Sequence, residues 1–338
     1  MIRPRFWPLW LLLLCSVAAW SQRCTEAKDM DPTTRNAIES AATQYFNMAA
    51  KGDSAGLQQN AIPAVSQNFG GISNAVRDNL AAIQGSQPNV RSAYLLDAST
   101  QTGTIQRAEF YCGVFGAYGH TANSSAFIIP NLPAGTYALA VVDAQGAKEP
   151  FSLSFVLQQV GQQWKLAGYY AKSGTAAGHD GNWYVQQARD YKQKGDNATA
   201  YFYYFQARDL LAPVPFMSTL QLDKLYDEMQ QSLPKDLPIG QSVEFNASGR
   251  TYQLTTMFPL PVGNELDLVV KYSLPDISDT AKTWQSNMDL INALLAKYPA
   301  FRDAFQAVVA RAVAPGGQDY GTIQPTKQTP ASPQSAKQ

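Results

Sequence analysis

The feature that most constrains the fold is a change of hydrophobic period near Gly85. Before it, apolar residues recur every three to four positions, which is the spacing of one helical face. These residues are Ile38, Ala41, Ala42, Tyr45, Phe46 and Ala49, then Ile72, Ala75, Val76, Leu80 and Ile83. After it, apolar and polar residues alternate, as in a half-buried strand. Helices followed by strands predict an α+β domain whose N-terminal helices pack on a bent antiparallel sheet.

The strand half of this domain extends to residue 170. Alternating or short apolar runs predict strands at 90–98, 104–114, 126–129, 136–142, 151–160 and 163–170. A tight turn around Gly161 joins the last two. The predicted domain covers residues 31–173.

Three features of this domain resemble a known family. They are the first helix ending in Ala49-Ala50-Lys51-Gly52-Asp53, the order of helices then strands, and the closing hairpin at 156–169. Together they resemble the nuclear-transport-factor-two-like family, also called the cystatin-like cone. A competing resemblance is carried by residues 127–142, which look like the strand-turn-strand of small extracellular β-sandwich modules. A sandwich that begins near Val90 is therefore the alternative fold.

The cone resemblance implies a pocket and candidate residues for it. Some members of that family use a pocket Asp or Tyr for proton transfer, as ketosteroid isomerases do. The resemblance makes Asp97, Glu109 and Tyr111 weak catalytic candidates, and Tyr94, Tyr111 and Trp164 candidates for ligand binding. A carboxylate with a raised pKa would act there as a general base. In the alternative, the charges are exposed and the tyrosines are packing residues.

A second segment, residues 181–233, is predicted to be helical. Its first half, 181–213, resembles a single tetratricopeptide repeat, in which aromatic and small residues recur at fixed places. The matching residues are Tyr184, Ala188, Tyr191, Gly195, Ala200, Tyr204 and Ala207. Since an array needs about three repeats to bury a continuous core, we predict a helical linker packed on its neighbours. The aromatic run 201–205 is expected at a domain junction.

The third segment, residues 239–323, is predicted to be a small α+β domain. A hairpin around 246–249 and a strand at 265–272 form its sheet. Two helical segments follow, and the second is predicted from one apolar stripe: Phe301, Ala304, Phe305, Val308, Val309 and Ala312. Residues 324–338 are rich in Pro, Ser, Thr and Gln, which predicts a disordered tail.

The N-terminus has the pattern of a secretory signal peptide. Arg3 and Arg5 precede an apolar stretch at 6–20, and small residues follow, so residues 1–21 are predicted to be removed. The stretch has 15 residues, fewer than the roughly 20 that span a bilayer, so no transmembrane span is expected after cleavage. The predicted location is periplasmic or extracellular. Retention by an uncleaved N-terminal anchor is the alternative.

Cleavage leaves Cys24 and Cys112 as the two remaining cysteines. In an exported chain such a pair can form one disulfide. The alternative is that Cys112 is a small buried residue and Cys24 a free thiol.

Composition narrows the function further. The 26 basic and 26 acidic residues balance, which argues against a nucleic-acid partner. His120 and His179 are the two histidines of the chain and lie in Gly-rich segments, so both are expected to be solvated loop residues. Neither is in a spacing typical of metal ligands, and no metal or cofactor is predicted. No phosphate-binding loop or nucleophile elbow occurs, although a Ser-His-Asp triad can form from distant residues.

The sequence therefore predicts an exported, non-catalytic binding protein of the cell envelope or periplasm. Its partner would be a small apolar ligand in the cone or an envelope protein. Two alternatives stay open. One is a small isomerase- or hydrolase-type enzyme that uses the cone pocket, and the other is an envelope scaffold that docks through the helical segment.

Overall fold

The computed structural model describes residues 22–327, which form an α+β protein. The predicted signal peptide, residues 1–21, lies outside the described residues, and so do residues 328–338 of the predicted tail. The tail prediction is wrong at its start, because residues 324 and 325 belong to the last strand.

The predicted helical half is confirmed. It begins with the short strand β1 (Arg23–Glu26). Four helices follow: α1 (Pro32–Ala50), α2 (Ser54–Gln59), α3 (Pro63–Ser66) and α4 (Gly70–Ile83). Asp31 caps α1, since its carboxylate accepts a hydrogen bond from the Thr34 N–H at 3.0 Å. Asp53 caps α2 in the same way through the Gly56 N–H at 2.8 Å. The predicted break at 51–53 therefore separates two capped helices.

The predicted strands follow in order, with β4 much longer than the predicted 126–129. They are β2 (Gln87–Asp97), β3 (Thr104–Gly116), β4 (Gly119–Pro133), β5 (Thr136–Gln145), β6 (Phe151–Val160) and β7 (Gln163–Ser173). A short hairpin, β8 (Thr175–Ala176) and β9 (His179–Asp180), comes after them. The main sheet is antiparallel, in the order β1-β2-β5-β6-β7. Register shifts at Val90/Ser92 and at Val156/Leu157 interrupt its regular pairing.

The next segment is helical, as predicted. It consists of α5 (Gly181–Gln193), α6 (Asn197–Leu211), a short strand β10 (Met217–Thr219) and α7 (Leu220–Gln231). Asp180 and Asp196 cap the first two helices by accepting backbone N–H groups of Trp183 and Thr199. α6 packs against both α5 and α7.

Both faces of the main sheet are covered. The helices α1 to α4 bury one face, through Ile38, Phe46, Leu57, Val76, Phe155 and Leu166 among others. A second sheet, in the order β10-β4-β3, covers the other face, with Leu96, Phe110, Phe127, Leu139 and Met217 in the core between the two sheets. The predicted helix-on-sheet layer is thus present, and so is the sheet-on-sheet packing of the alternative.

The C-terminal part is built around a mixed five-stranded sheet. Its elements are β11 (Val243–Ala247), β12 (Arg250–Val262), β13 (Glu265–Ser273), α8 (Thr280–Lys297), α9 (Phe301–Ala304), β14 (Ala307–Val313) and β15 (Asp319–Pro325). The strands β13 and β14 are parallel, and the other neighbouring pairs are antiparallel. The prediction of a second helix through Ala312 is wrong, because the chain forms β14 after the four-residue helix α9.

One hydrophobic core joins the helical segment to the C-terminal sheet. Tyr203 donates a hydrogen bond from its hydroxyl to the carbonyl of Ala304 at 2.8 Å. The ring of Phe202 lies 6.0 Å from that of Phe301 and 6.3 Å from that of Phe305. The aromatic run 201–205 therefore lies at a junction, as predicted. Between residues 22 and 327, none of the helices is long and apolar enough to cross a membrane.

Candidate functional site

An apolar groove of about 590 Å³ lies where β4 faces the main sheet. We call it the β4 groove. Its walls come from β4, β5, β6, β7, the segment before β10 and Ile62, which precedes α3. They include Ile128, Ile129, Leu132, Tyr137, Val156, Ala167, Gly168, Tyr170 and Phe216. The volume is within the range of small-molecule sites, about 300–1,000 Å³.

The segment before β10 closes one side of this groove. The Ile128 N–H donates a hydrogen bond to the Phe216 carbonyl at 2.9 Å, one residue beyond the pairing of Met217 with Phe127. The ring of Phe216 packs edge-on against Tyr170, with the centroids 5.7 Å apart. The groove therefore depends on contact between residues that are far apart in the chain.

Gly168 lines the β4 groove and, because it has no side chain, leaves space there. It lies opposite Val156 in the pairing of β6 with β7, next to the irregularity at Leu157. A Cβ at this position would lie 3.2 Å from the Val156 Cβ and 3.5 Å from the ring of Tyr170. Because the distance to Val156 is shorter than ordinary van der Waals contact, a residue larger than glycine would require Val156 or the strand to shift.

The groove offers few polar groups to a ligand. Its lining set contains no charged side chain. The Tyr137 hydroxyl is already engaged, since it donates to the Pro133 carbonyl at 2.9 Å. Burial raises the pKa of Tyr137 and of Tyr170, so both phenols stay neutral at physiological pH. The site is therefore suited to an apolar molecule, since no charged side chain lines it.

The space between the helices and the main sheet, where the cone pocket was predicted, is filled by the protein's own side chains. Trp164 is buried there, and its carbonyl accepts a hydrogen bond from the Tyr45 hydroxyl at 2.8 Å. The rings of Tyr45 and Tyr169 both pack against Phe155, with centroids 6.1 and 5.9 Å away. Trp164 thus acts as a core residue, which corrects the expectation that it lines a binding pocket.

Two of the predicted site residues lie on the outside of the second sheet. Tyr111 is 52% exposed, and its hydroxyl donates to Glu109 at 2.5 Å. Glu109 also accepts from Arg107 at 2.5 Å. These two hydrogen bonds lower the pKa of Glu109, whereas a general base at neutral pH needs a raised one. Neither residue is in a pocket, contrary to what the cone resemblance implies.

Asp97 and Tyr94 are separated from these residues. Asp97, at the end of β2, accepts hydrogen bonds from Arg23 at 2.8 Å and from the Ser99 N–H at 3.0 Å. Partial burial alone would raise the pKa of Asp97, but the bonds from Ser99 and Arg23 outweigh it and lower the pKa. Tyr94 packs edge-on against Phe127 at 4.9 Å. The structure brings none of the predicted catalytic carboxylates to a shared cavity.

Cys24 and Cys112 form a disulfide, with their Cα atoms 4.8 Å apart. It joins β1, an edge strand of the main sheet, to β3 of the second sheet. The pairing that the cysteine count predicts is thus present, and the alternative of a free Cys24 is wrong.

His120 corrects a sequence prediction. It lies in β4 with an 11% exposed side chain, not in a solvated loop. Its Nδ1 is 3.0 Å from Ser124 Oγ and its Nε2 is 3.5 Å from an Asp223 carboxylate oxygen. Ser124 Oγ also accepts the Thr121 N–H at 2.9 Å and lies 3.1 Å from the Thr121 carbonyl, to which it can donate its proton. In that arrangement the serine proton is not directed at the histidine, so the three residues form a structural link between β4 and α7.

His179 is exposed, as predicted, although it is in β9 and stacks on Trp183 at 3.7 Å. The neighbouring Asp180 is occupied as the cap of α5. No group of three metal-ligating His, Cys, Asp or Glu side chains occurs in residues 22–327.

No protein family model, curated protein or solved structure matches this chain. The resemblances to the cone family and to a tetratricopeptide repeat therefore stay predictions. The β4 groove itself was missed by sequence reasoning. Its one local signal is the Pro- and Ile-rich stretch 127–133, whose pattern predicts a strand and a turn.

Proposed function

We propose that this protein is an exported, non-catalytic binding protein that holds a small apolar ligand in the β4 groove. The observation that carries the proposal is the groove itself, which combines ligand-sized volume with a lining free of charged side chains. Apolar walls with few polar groups are the general character of small-molecule sites.

The proposal differs from the cone hypothesis in the location of the ligand. Buried core residues, including Tyr45, Phe155 and Trp164, occupy the helix-facing side of the main sheet, while the β4 groove is open on the side that faces β4. We therefore assign the ligand to the side that faces β4. The enzyme and scaffold alternatives lack a comparable observation, since the candidate carboxylates are dispersed and four residues of the aromatic run 201–205 are buried.

Export is supported by the disulfide between Cys24 and Cys112. Such bonds persist in oxidising compartments and are rare in the cytosol. Fractionation of cells that express the tagged full-length chain tests this part of the proposal. We expect the protein in the envelope or extracellular fraction, and retention in the cytosol would contradict export.

Ligand binding is tested with the neutral fluorescent probe N-phenyl-1-naphthylamine. We expect saturable fluorescence enhancement with the unmodified protein. Ala167→Phe should fill the groove, and Ile129→Asn should place an amide in its wall. Because burying an apolar group contributes about 1.5–3 kcal/mol, each change should weaken binding at least about tenfold.

The matched control is Ile323→Asn, which makes the same replacement at an exposed position of β15. It should leave the affinity for the probe unchanged. Circular dichroism and thermal unfolding verify that each variant is folded. If both groove variants fold and bind the probe as the unmodified protein does, the β4 groove is not the binding site.

A further inference from the structure

A second pocket lies in the C-terminal part, where β13 ends and α8 begins. We call it the α8 pocket. It has a volume of about 440 Å³, and Arg250, Tyr252, Tyr272, Lys282 and Ser286 are among the residues that line it. It belongs to the crossover β13-α8-β14, which connects two parallel strands. The pocket lies at the carboxyl end of β13, next to the amino end of the helix that follows.

Tyr272 supplies a buried hydroxyl at this pocket. The residue is 1% exposed, and its hydroxyl forms no hydrogen bond of good geometry with the described residues, although Ser286 is close enough to interact with it. Its electrostatic neighbours are Ser286, Tyr252 and Arg250, which all line the pocket. Burial raises the pKa of Tyr272, so the hydroxyl keeps its proton at neutral pH. Leaving a buried donor without a good acceptor is unfavourable, and an acceptor atom of a ligand would remove that penalty.

Two further groups add positive potential. Arg250 forms no ion pair with any residue in the described part of the chain, so its guanidinium is free to bind an oxyanion. α8 is an 18-residue helix that begins at Thr280, beside the pocket. The N–H groups of a helix amino end carry a partial positive charge that favours anions.

The carboxylates of the pocket limit how much negative charge a ligand can carry. Asp276 accepts hydrogen bonds from the N–H and the hydroxyl of Ser278, at 2.9 and 2.8 Å. Asp279 caps α8 and lies 3.0 Å from Lys282 Nζ. Both are committed to local contacts, yet they would repel a doubly charged ligand. The donors that remain are the Arg250 guanidinium and the Tyr272 hydroxyl. They suit a ligand that carries one negative charge shared by two acceptor oxygens.

We propose that the α8 pocket binds a small monocarboxylate, whose oxygens accept hydrogen bonds from the Arg250 guanidinium and the Tyr272 hydroxyl at the amino end of α8. The planar fork of an arginine matches the two oxygens of a carboxylate. This site is independent of the β4 groove, and either proposal can fail without the other.

The test is a titration of the ¹⁵N-labelled protein followed by NMR, with sodium benzoate, sodium acetate and inorganic phosphate as probes at constant ionic strength. We expect saturable shifts for benzoate and acetate at the amides of Arg250, Ser273 and the first turn of α8. Phosphate should bind at least about tenfold more weakly near pH 8, where it is mostly doubly charged.

Two variants test the residues. Arg250→Gln and Tyr272→Phe should each weaken benzoate binding about tenfold, since a hydrogen bond to a charged group is lost. Arg302→Gln removes an exposed arginine outside the pocket, and Tyr169→Phe removes a partnerless buried hydroxyl in the core between α1–α4 and the main sheet. Both controls should bind as the unmodified protein does.

Three results would overturn the proposal. The first is the absence of saturable shifts at the α8 pocket with either carboxylate. The second is unchanged binding in Arg250→Gln, which alters an exposed side chain and is expected to fold. The third is equal or tighter binding of phosphate, which would indicate a general anion site.

Discussion

At the scale of single residues, Asp267 stands out because its ionisable carboxyl group is buried. It is 4% exposed, and one of its carboxylate oxygens has no hydrogen-bond partner in residues 22–327. Burial raises its pKa, and the nearby charge of Glu265 adds to the shift. The sequence predicts a strand at 265–272 but does not indicate this burial. Because β13 is the central strand of its sheet, positions on both of its faces are covered.

We predict that Asp267→Asn increases the free energy of unfolding by about 1 kcal/mol at neutral pH, since it removes an unpaired buried charge. A raised folded-state pKa means that the folded protein holds the proton to higher pH than the unfolded chain does. The penalty is therefore complete above both pKa values and disappears as the pH falls below them.

Urea unfolding of both proteins between pH 3 and pH 8 measures this difference. The two curves should converge toward low pH. Glu265→Gln serves as the control, because it removes a neighbouring charge at an exposed site and should have a smaller effect. A lower stability of Asp267→Asn at neutral pH would contradict the argument.

At the scale of elements, the sequence predicted most helices and strands of the N-terminal part but misassigned β14. Residues 307–313 are nearly all apolar, and a short apolar run has no period that separates a strand from a helix. Four of the seven are buried, because β14 lies between β13 and β15 and under α8. That environment depends on partners elsewhere in the chain, so the local pattern could not indicate it.

The disulfide between β1 and β3 is predicted to stabilise the folded protein. It joins β1 to β3 across a sequence separation of 88 residues. Cross-linking so long a loop restricts the unfolded chain, which predicts a stabilisation of about 3–5 kcal/mol. The double variant Cys24→Ser, Cys112→Ser should unfold at a lower urea concentration than the oxidised protein. The reduced unmodified protein is the control and should resemble the variant, whereas equal midpoints for all three would contradict the prediction.

At the scale of the whole molecule, the three segments predicted along the chain do not correspond to three separate hydrophobic cores. The helical segment and the C-terminal sheet share one core, while the N-terminal part has two cores, one on each face of its main sheet. The β4 groove arises at this scale. Ile129, Val156 and Phe216 meet there because three separate segments converge, and no spacing in the sequence records that meeting.

The central claim is that the apolar ligand lies in the β4 groove and not between the helices and the main sheet. Photolabelling with an alkyl diazirine, followed by peptide mapping by mass spectrometry, tests it most directly. The account predicts labels on groove residues such as Ile129, Val156 and Phe216, reduced by competing N-phenyl-1-naphthylamine. Labels on Tyr45, Phe46 or Trp164 with none in the groove would contradict it.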